Sequence, residues 1–282
     1  RPIAMPSSRK RMAVVGAGPA GLTAATVAAE RGHEVHLFDA APAIGGQLNM
    51  AKVIPGKEEF HEMLRYLATR VEDTGVSLHL NRKVAAAELA GFDEVIVATG
   101  VEPRDPKIPG QDHPKVLSYI DVLRHGKPVG ERVAIVGAGG IGFDVAEFLV
   151  HGNHPSTTLD LPAWKAEWGI TDPAEARGGL ATAGPHVTPP ARHVTLLQRK
   201  KGKLGAGLGK TTGWIHRTGL KNRGVEMIPG VTYRKVDDAG LHISVDGKDM
   251  TLPVDNVIVC AGQDPNRELQ AALQAQGVRV HL

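Results

Sequence analysis

Short apolar runs along this chain have the spacing of buried parallel strands, and the stretches between them repeat every three or four residues as helices do. In the first half, strands are predicted at 12–15, 35–38 and 76–80, with a closing apolar run at 93–100. Helices are predicted between them at 19–31 and 57–74. The second half repeats this order, with strands at 133–136, 194–198 and 225–228, a closing run at 255–262, and helices at 141–150 and 210–222.

Three runs in the second half differ, because apolar and polar residues alternate along them. They cover 231–236, 240–245 and 248–252, and they predict an antiparallel meander. The remaining strands alternate with helices, which is typical of parallel sheets. The sequence therefore predicts an α/β fold with two Rossmann-like domains.

One glycine pattern stands at the first strand–helix junction of each half. It reads Gly16-Ala17-Gly18-Pro19-Ala20-Gly21 in the first half and Gly137-Ala138-Gly139-Gly140-Ile141-Gly142 in the second. The first glycine allows a tight turn, the second lets the backbone approach a pyrophosphate, and the third lets the helix pack on the strand. The phosphates then meet the positive end of the helix and its unpaired amides. A tight turn without a ligand is the alternative for either copy.

The two halves differ in the charge that follows the second strand. Asp39 lies 18 residues after the last fingerprint glycine, near the position of an acid that binds ribose hydroxyls. Its charge would repel a 2′-phosphate, whereas Arg199 and Lys200, at the matching place, offer a planar fork and a point charge for one. We therefore predict FAD at the first site and NADPH at the second. The alternatives are a solvated acid and a basic surface loop, which Lys201 and Lys203 would continue.

Other glycines lie where the backbone could contact a large flat ligand. Ile44-Gly45-Gly46-Gln47 follows the second strand, and Gln47 offers a hydrogen bond. Gly205, Gly207 and Gly209 form either a flap over a nicotinamide or a flexible loop. The predicted cofactor-binding residues are Gly16, Gly18, Pro19, Ala20, Gly21, Asp39, Gly46, Gln47, Val84, Thr99, Gly100, Gly137, Gly139, Gly140, Ile141, Gly142, Arg199, Lys200, Ala261 and Gly262. We assign no catalytic residue and no metal ligand, because hydride transfer between two cofactors requires no acid/base pair.

The positions of the predicted FAD and NADPH sites along the chain predict the domain boundaries. Residues 1–108 are assigned to the first segment of an FAD-binding domain, residues 109–264 to an NADPH-binding domain, and residues 265–282 to a truncated return to the FAD domain. Within the second domain, residues 152–192 are rich in Pro, Gly and Thr and are interpreted as an insertion that covers a cofactor or docks a neighbouring domain. The proline-rich stretch 101–130 is predicted to be a linker, interrupted by a short helix at 118–123.

Composition limits the classes of function. A length of 282 residues predicts about two domains, and a net charge of +3 permits anionic ligands without indicating nucleic acid. No apolar run approaches the ~20 residues that a membrane span needs. The single cysteine, Cys260, is interpreted as a small buried hydrophobe; this chain alone can form no disulfide, Cys-x-x-Cys pair or four-thiolate cluster, and we expect a cytoplasmic location. Because the chain begins at Arg1, we expect a piece of a longer protein.

Several stretches resemble the C-terminal half of bacterial NADPH-dependent 2,4-dienoyl-CoA reductases, multidomain flavoenzymes related to trimethylamine dehydrogenase and to old-yellow-enzyme fusions. The matching stretches are 38–40, 44–47, 54–60, 113–119, 139–144, 197–200 and 207–217. The last of these, Gly207-Leu208-Gly209-Lys210-Thr211-Thr212-Gly213-Trp214-Ile215-His216-Arg217, is long and has no general structural explanation. The resemblance covers essentially the whole chain.

The resemblance implies a glutathione-reductase-like FAD/NAD(P) fold in which NADPH reduces FAD. It further implies that electrons continue through a 4Fe-4S cluster and FMN, held in an upstream barrel domain of the same polypeptide, to a dienoyl-CoA in the β-oxidation of unsaturated fatty acids. A Gly-Gly…Asp segment that completes the FAD site would follow Leu282. The alternatives are a subunit that oxidises NAD(P)H for glutamate synthase or a ferredoxin, and a platform that holds ADP without catalysis. The 152–192 insertion and the run at 210–217 argue against the first alternative.

Overall fold

Strands and helices alternate along most of residues 4–282, the part of the chain that this computed structural model describes. The strands are β1 (Arg11–Val15), β2 (Glu34–Phe38), β3 (Ser77–His79), β4 (Glu94–Val97), β5 (Val101–Pro103), β6 (Val116–Ser118), β7 (Arg132–Val136), β8 (His193–Leu197), β9 (Glu226–Ile228), β10 (Val231–Asp237), β11 (Gly240–Val245), β12 (Lys248–Leu252), β13 (Asn256–Val259), β14 (Gln263–Pro265) and β15 (Arg279–His281). The α-helices are α1 (Pro19–Glu30), α2 (Leu48–Ala51), α3 (Phe60–Thr74), α4 (Tyr119–Leu123), α5 (Gly140–His151), α6 (Leu161–Trp168), α7 (Gly213–Asn222) and α8 (Glu268–Ala275).

The chain divides into two compact units, and the first contains a fully parallel sheet. This unit comprises the residues up to Lys52 together with Glu58–Glu102 and Gln263–Leu282, and its strand order is β15-β4-β1-β2-β3. Along β1, Met12 and Val14 enter one core cluster, while Ala13 and Val15 enter the cluster on the opposite face. Because both faces of β1 are covered, the strand reads as an unbroken apolar run in the sequence.

The second unit comprises Val53–Lys57 and Pro103–Gly262 and contains a second parallel sheet of five strands, in the order β6-β13-β7-β8-β9. The predicted meander is confirmed as the antiparallel sheet β10-β11-β12. Its apolar side chains pack with those of β7, β8 and β13 in one core cluster, so the meander covers one face of the parallel sheet. The predicted α/β fold with two parallel sheets is confirmed.

The boundaries of the compact units differ from the predicted domain boundaries. The units meet at 102/103 and 262/263 rather than at 108/109 and 264/265. Ile108 explains the first difference, since it is buried in the core cluster of the second unit, and the Pro109 carbonyl accepts a hydrogen bond of 2.9 Å from Val236 N. The assignment of the units to FAD and NADPH stays a prediction.

The interpretation of 101–130 as a linker is wrong, because most of this stretch lies in the second unit and includes β6. The predicted short helix is present as α4, and Ser118 caps it, since the Ser118 hydroxyl accepts a 3.1 Å hydrogen bond from Asp121 N. Three elements near the end of the chain were not predicted: β14, α8, and β15, which pairs in parallel with β4. Within the described residues, no helix is both long and apolar enough to cross a membrane.

The 152–192 insertion contains α6 and is joined to the rest of the second unit by a buried polar cluster. Arg223 donates to Glu167 of α6 at 2.5 Å and to the imidazole Nε2 of His151 at 3.1 Å, and it lies 3.8 Å from the carboxylate of Glu147. Glu167 also accepts a hydrogen bond from the hydroxyl of Thr157. Burial raises the pKa of the Glu147 carboxyl to about 7, and burial lowers the pKa of His151. The insertion is therefore anchored on Arg223, directly after α7, and Arg223 in turn contacts α5, the helix of the second fingerprint.

Candidate cofactor sites

At the first fingerprint, packing within the protein explains two of the three pattern glycines. Gly16 has φ +108°, and a Cβ there would lie 2.2 Å from the Ala98 carbonyl oxygen. A Cβ on Gly21 would lie 1.8 Å from the carbonyl oxygen of Gly16. Gly18 differs, because its φ of −77° and ψ of 179° suit any residue and a Cβ would meet nothing nearer than Gly46 Cα at 4.0 Å. Neither strain nor packing therefore requires glycine at position 18.

Gly18 is also the N-cap of α1, which continues through the predicted residues Pro19 and Ala20. No side chain caps this helix end. The first N–H groups of a helix have no partner within the helix, and together with the helix dipole they favour an anion. The first turn of α1 is thus available to a phosphate.

Asp39 lies directly after β2 and holds the fingerprint turn in place. Its Oδ2 accepts a hydrogen bond of 2.6 Å from Ala17 N, and its Oδ1 accepts one of 2.7 Å from Ala41 N. Each carboxylate oxygen can accept more than one hydrogen bond, so capacity for ribose hydroxyls remains.

A cavity of about 720 Å³ opens beside Asp39, within the first unit. This volume is within the usual range of small-molecule sites, roughly 300–1,000 Å³. The predicted residues that line it are Gly16, Asp39, Val84 and Thr99. Arg82 and Lys83 line it too and were not predicted, although the sequence offered a signal, since this basic pair closely follows the third predicted strand.

The 44–47 loop lies against the fingerprint turn. Gly46 has φ +51°, and a Cβ there would lie 3.0 Å from the Cα of Gly18. Gln47 is exposed and accepts a 3.3 Å hydrogen bond from Gln263. Gly46 therefore permits a close approach to the backbone of Gly18, and its predicted contact with a ligand stays a prediction.

Thr99 and Gly100 are held by the last segment of the first unit. The Thr99 hydroxyl donates to the Asn266 carbonyl at 2.8 Å, and Asn266 N donates to the Gly100 carbonyl at 2.9 Å. Asn266 also lines the cavity beside Asp39. The tertiary structure thus brings residues from 16 to 266 to one edge of the first sheet.

The second fingerprint repeats the geometry of the first. Gly137 has φ +111°, and a Cβ there would lie 2.2 Å from the Cys260 carbonyl oxygen. A Cβ on Gly142 would lie 1.8 Å from the Gly137 carbonyl oxygen. Gly139 has φ −82° and ψ −171°, and neither Gly139 nor Gly140 has any atom within 4 Å of an added Cβ.

Other predicted residues lie on either side of the second fingerprint turn. Ile141 lies half-buried in the first turn of α5. Ala261 and Gly262 follow β13, and the Gly262 carbonyl accepts a 3.0 Å hydrogen bond from Arg104 N. Cys260 is buried and free, and burial raises the pKa of its thiol, which confirms its interpretation as a small hydrophobe.

Arg199 and Lys200 follow β8 and are both exposed. The Lys200 carbonyl fixes their loop, accepting from the Gln198 side chain at 3.0 Å and from Gly230 N at 3.1 Å. The Arg199 charge opposes the rise that burial causes in the pKa of the Tyr233 phenol. Among the described residues, the Tyr233 hydroxyl is the buried side-chain polar atom that lacks a hydrogen-bond partner. The basic pair is thus a positive surface on a fixed backbone.

The 205–209 loop is not uniform. Gly205 is buried, with φ +69°, and a Cβ there would lie 2.7 Å from the Phe143 ring. Gly207 is exposed, with no atom near an added Cβ. Packing therefore fixes the start of the loop, and the prediction of a flap stays untested.

An ion pair near the second fingerprint was missed in the sequence. Lys57 Nζ lies 2.7 and 2.6 Å from the two carboxylate oxygens of Asp144, which belongs to the first half of α5. The partners are 87 residues apart, so no local spacing predicts the pair. A carboxylate near the N-terminal end of a helix is favoured by the helix dipole, and Lys57 balances its charge.

The glycines test whether dinucleotides fit these turns. The fold requires glycine at four positions, which are Gly16, Gly21, Gly137 and Gly142. Gly139 differs, because it has an ordinary backbone conformation and faces open space. Gly18 and Gly140 are equally unhindered. A side chain at these positions would fill the space beside a helix N-terminus, where a pyrophosphate would lie. The residues present therefore fit a dinucleotide at each turn.

Known proteins with similar sequences include two reductases. A metal reductase of Desulforamulus reducens is 30% identical over 272 residues, which cover 94% of this chain and 39% of that protein. A bilirubin reductase of Mediterraneibacter gnavus is 39% identical over 151 residues, covering 53% of this chain and 24% of that protein. The chain thus spans at most about two fifths of the length of these relatives.

The fold has a close match among solved structures. The complex of 2-naphthoyl-CoA reductase with 2-naphthoyl-CoA superposes with a TM-score of 0.81 at 25% identity, covering 99% of this chain and 37% of that one. The sequence model that describes pyridine nucleotide-disulphide oxidoreductases matches residues 10–281. Such a match implies a module that binds FAD and NAD(P)H. The chain belongs to the pyridine nucleotide-disulphide oxidoreductase family.

Proposed function

We propose that this chain is the FAD- and NADPH-binding part of a multidomain reductase of the 2,4-dienoyl-CoA reductase type, in which NADPH reduces FAD. One observation carries the proposal. Gly18 and Gly139 lie unhindered at the N-termini of two equivalent helices, and the next strand of each unit is followed by opposite charge, Asp39 in one and Arg199-Lys200 in the other.

In the first unit, we assign the residues of the fingerprint and of the cavity beside Asp39 to FAD. Gly18 and the first turn of α1 bind the pyrophosphate, and Asp39 accepts hydrogen bonds from the ribose. Gly46 lies beside Gly18, and we assign Gln47, Val84, Thr99 and Gly100 to the rest of the binding surface. The hydrogen bonds that the Asp39 carboxylate accepts from two backbone amides keep it fixed before FAD binds.

In the second unit, we assign Gly139, Gly140 and Ile141 to the pyrophosphate of NADPH and Arg199 with Lys200 to its 2′-phosphate. A guanidinium binds a phosphate through two parallel hydrogen bonds, and an ammonium adds a point charge. Ala261 and Gly262 lie at the carboxyl edge of the sheet next to the fingerprint turn. An unesterified ribose would leave both cations without a partner, so this site favours NADPH over NADH.

The protein contributes positioning more than chemistry. When bound, the nicotinamide supplies a hydride and the flavin accepts it. The chain holds each coenzyme by its phosphates and ribose, which reduces the entropy cost of bringing the reacting rings together. Lys57 and Asp144 form an ion pair close to the second fingerprint, and the pair ties the segment at Lys57 to the first half of α5.

The rest of the reaction belongs to the longer protein. With a single cysteine, this chain can form no dithiol that would accept electrons, so a bound flavin would pass them to an acceptor outside this chain. We propose an upstream barrel that holds a 4Fe-4S cluster and FMN and reduces a dienoyl-CoA in fatty acid β-oxidation in the cytoplasm. The structural similarity to a reductase crystallised with an aromatic CoA thioester supports a CoA thioester as the substrate class.

A double variant tests the coenzyme assignment. Replacing Arg199→Ala and Lys200→Ala should raise the KM for NADPH by about tenfold to a hundredfold, since each tenfold change corresponds to about 1.4 kcal/mol. The KM for NADH should stay unchanged, with bleaching of the flavin absorbance as the readout. The control is Lys165→Ala with Lys248→Ala, which removes the same charge from exposed positions outside this loop.

Two outcomes would contradict the proposal. If the KM for NADPH and the KM for NADH rise equally in the double variant, the basic pair does not bind the 2′-phosphate. If the purified protein is colourless and retains ADP, the chain is a structural platform and not an electron-transfer module.

A further inference from the structure

We propose that the second unit carries a further site, which binds a phosphorylated nucleotide and is separate from the predicted NADPH site. The site is a groove of about 680 Å³, called the basic groove below. Its sides are the 202–204 loop, helix α7, and residues 225–229, which include the edge strand β9. The groove contains neither Arg199 nor Lys200 nor any fingerprint glycine.

Three cations give the basic groove its charge. Lys203, Arg217 and Lys221 line it, and no carboxylate does. Within residues 4–282, none of the three forms an ion pair; Arg217 donates one hydrogen bond, of 3.0 Å, to the Gly205 carbonyl. The other guanidinium N–H groups and both ammonium groups can therefore bind an anion. Three unpaired cations in one concave surface are suited to a phosphate, which carries more than one negative charge.

An exposed indole lies in the same groove. Trp214 is 56% exposed, although a tryptophan usually buries most of its surface. Its Nε1–H donates to the Thr211 carbonyl at 3.0 Å, so the ring is held while a large part of its surface stays open. Stacking of a base on such a ring contributes about 1–3 kcal/mol, and every base has the necessary flat face.

The spacing of residues along α7 separates the surface for base stacking from the cations that would bind phosphates. Trp214, Arg217 and Lys221 follow each other at intervals of three and four residues and so share one face of the helix. Two turns, about 10 Å, lie between the indole and the Lys221 end. This length leaves room for a ribose between a stacked base and bound phosphates. Leu204 and Val225 form a buried apolar floor beneath it.

These features together define the ligand class. An inorganic anion would not use the indole, and an uncharged aromatic would leave three cations unpaired. A phosphorylated nucleotide uses both, and the volume of the groove is within the range of small-molecule sites. The inference does not depend on the NADPH assignment, because different residues carry it.

The test is a titration of ADP into the FAD-loaded protein in the presence of saturating NADP⁺, followed by tryptophan fluorescence and by equilibrium dialysis. We expect a saturable fluorescence change that Trp214→Phe abolishes. Lys203→Ala with Lys221→Ala should weaken ADP binding at least tenfold, whereas Lys165→Ala with Lys248→Ala should leave it unchanged. Melting temperatures of all variants check that they are folded.

Further measurements identify the site to which ADP binds and the part of ADP that is recognised. In the Arg199→Ala, Lys200→Ala protein, ADP should still bind, even if NADPH specificity is lost or the proposed function fails. If NADP⁺ displaces ADP from the unaltered protein but no longer does so from the Arg199→Ala, Lys200→Ala protein, ADP occupies the coenzyme site, which overturns the separate site. Equal binding of inorganic phosphate and ADP would overturn the nucleotide class. Absence of saturable binding at millimolar ADP would overturn the proposal altogether.

Discussion

Two neighbouring glycines of the second fingerprint should respond in opposite ways to the same substitution. The structure requires glycine at 137 for folding, since its φ is +111° and an added Cβ would lie 2.2 Å from the Cys260 carbonyl oxygen. Ordinary contact begins near 3.4 Å, so one backbone would have to move by about 1.2 Å. At position 139 the conformation suits alanine and no atom lies within 4 Å.

These geometries set the expected magnitudes. Gly137→Ala combines backbone strain with overpacking, each costing about 1–3 kcal/mol, so we expect a loss of about 3 kcal/mol or more in the free energy of unfolding. For a chain of this size, with an unfolding entropy of about 0.6 kcal/mol/K, a loss of about 3 kcal/mol lowers Tm by about 5 °C. Gly139→Ala should leave Tm unchanged or raise it slightly, because alanine restricts the unfolded chain by about 0.4–1 kcal/mol. The same methyl group should raise the Kd for NADPH at least tenfold.

The assay pairs thermal unfolding without coenzyme with an NADPH titration of the FAD-loaded protein. A Gly139→Ala protein that binds NADPH as the unaltered protein does would refute the assignment of position 139 to the pyrophosphate. If the Gly139→Ala protein instead has a Tm as low as that of Gly137→Ala, position 139 has no room for a methyl group and the reasoning is refuted. The equivalent pair in the first unit, Gly18→Ala against Gly16→Ala, should show the same separation with FAD.

Three further substitutions follow from the contacts. Asp39→Ala removes the acceptor of two backbone amides and should lower the FAD content measured after gel filtration, together with a loss of about 1–3 kcal/mol in stability; full FAD retention would contradict its role. Glu167→Ala leaves Arg223 with weaker pairing in a buried cluster and should cost about 3 kcal/mol in urea unfolding, and a cost near zero would show that water replaces the carboxylate. Glu147→Gln should change the pH dependence of stability. The folded-state pKa of Glu147 is raised to about 7, so its contribution is full below about pH 4.5 and is lost as the pH rises through 7, by about 3 kcal/mol in all. Because the lowered pKa of His151 acts in the opposite sense, the quantity to measure is the difference between the two unfolding curves across pH 4–8, and a constant difference would refute the shift.

Local patterns in the sequence were sufficient for four strands of each parallel sheet and for the two fingerprint turns, but not for the edge strands β15 and β6. Strands such as β1 and β7 are buried on both faces, so an unbroken apolar run predicts them directly. The glycines at 16 and 137 need positive φ, which few other residues tolerate, and so mark the turns. The fold class and the placement of both turns follow from these features.

Other parts of the candidate sites depend on residues far apart in the chain. Lys57 and Asp144 pair across 87 positions, and Asn266 holds Thr99 across 167. The compact units divide at other positions than the predicted domains for the same reason, since Ile108 follows a proline-rich stretch but is buried in the second core. The amino-acid sequence by itself determined the two fingerprint turns and the opposite charges beside them, because steric and helical rules act within a few residues. Only the tertiary structure decided which distant side chains meet around them, because that depends on how complete sheets and helices pack.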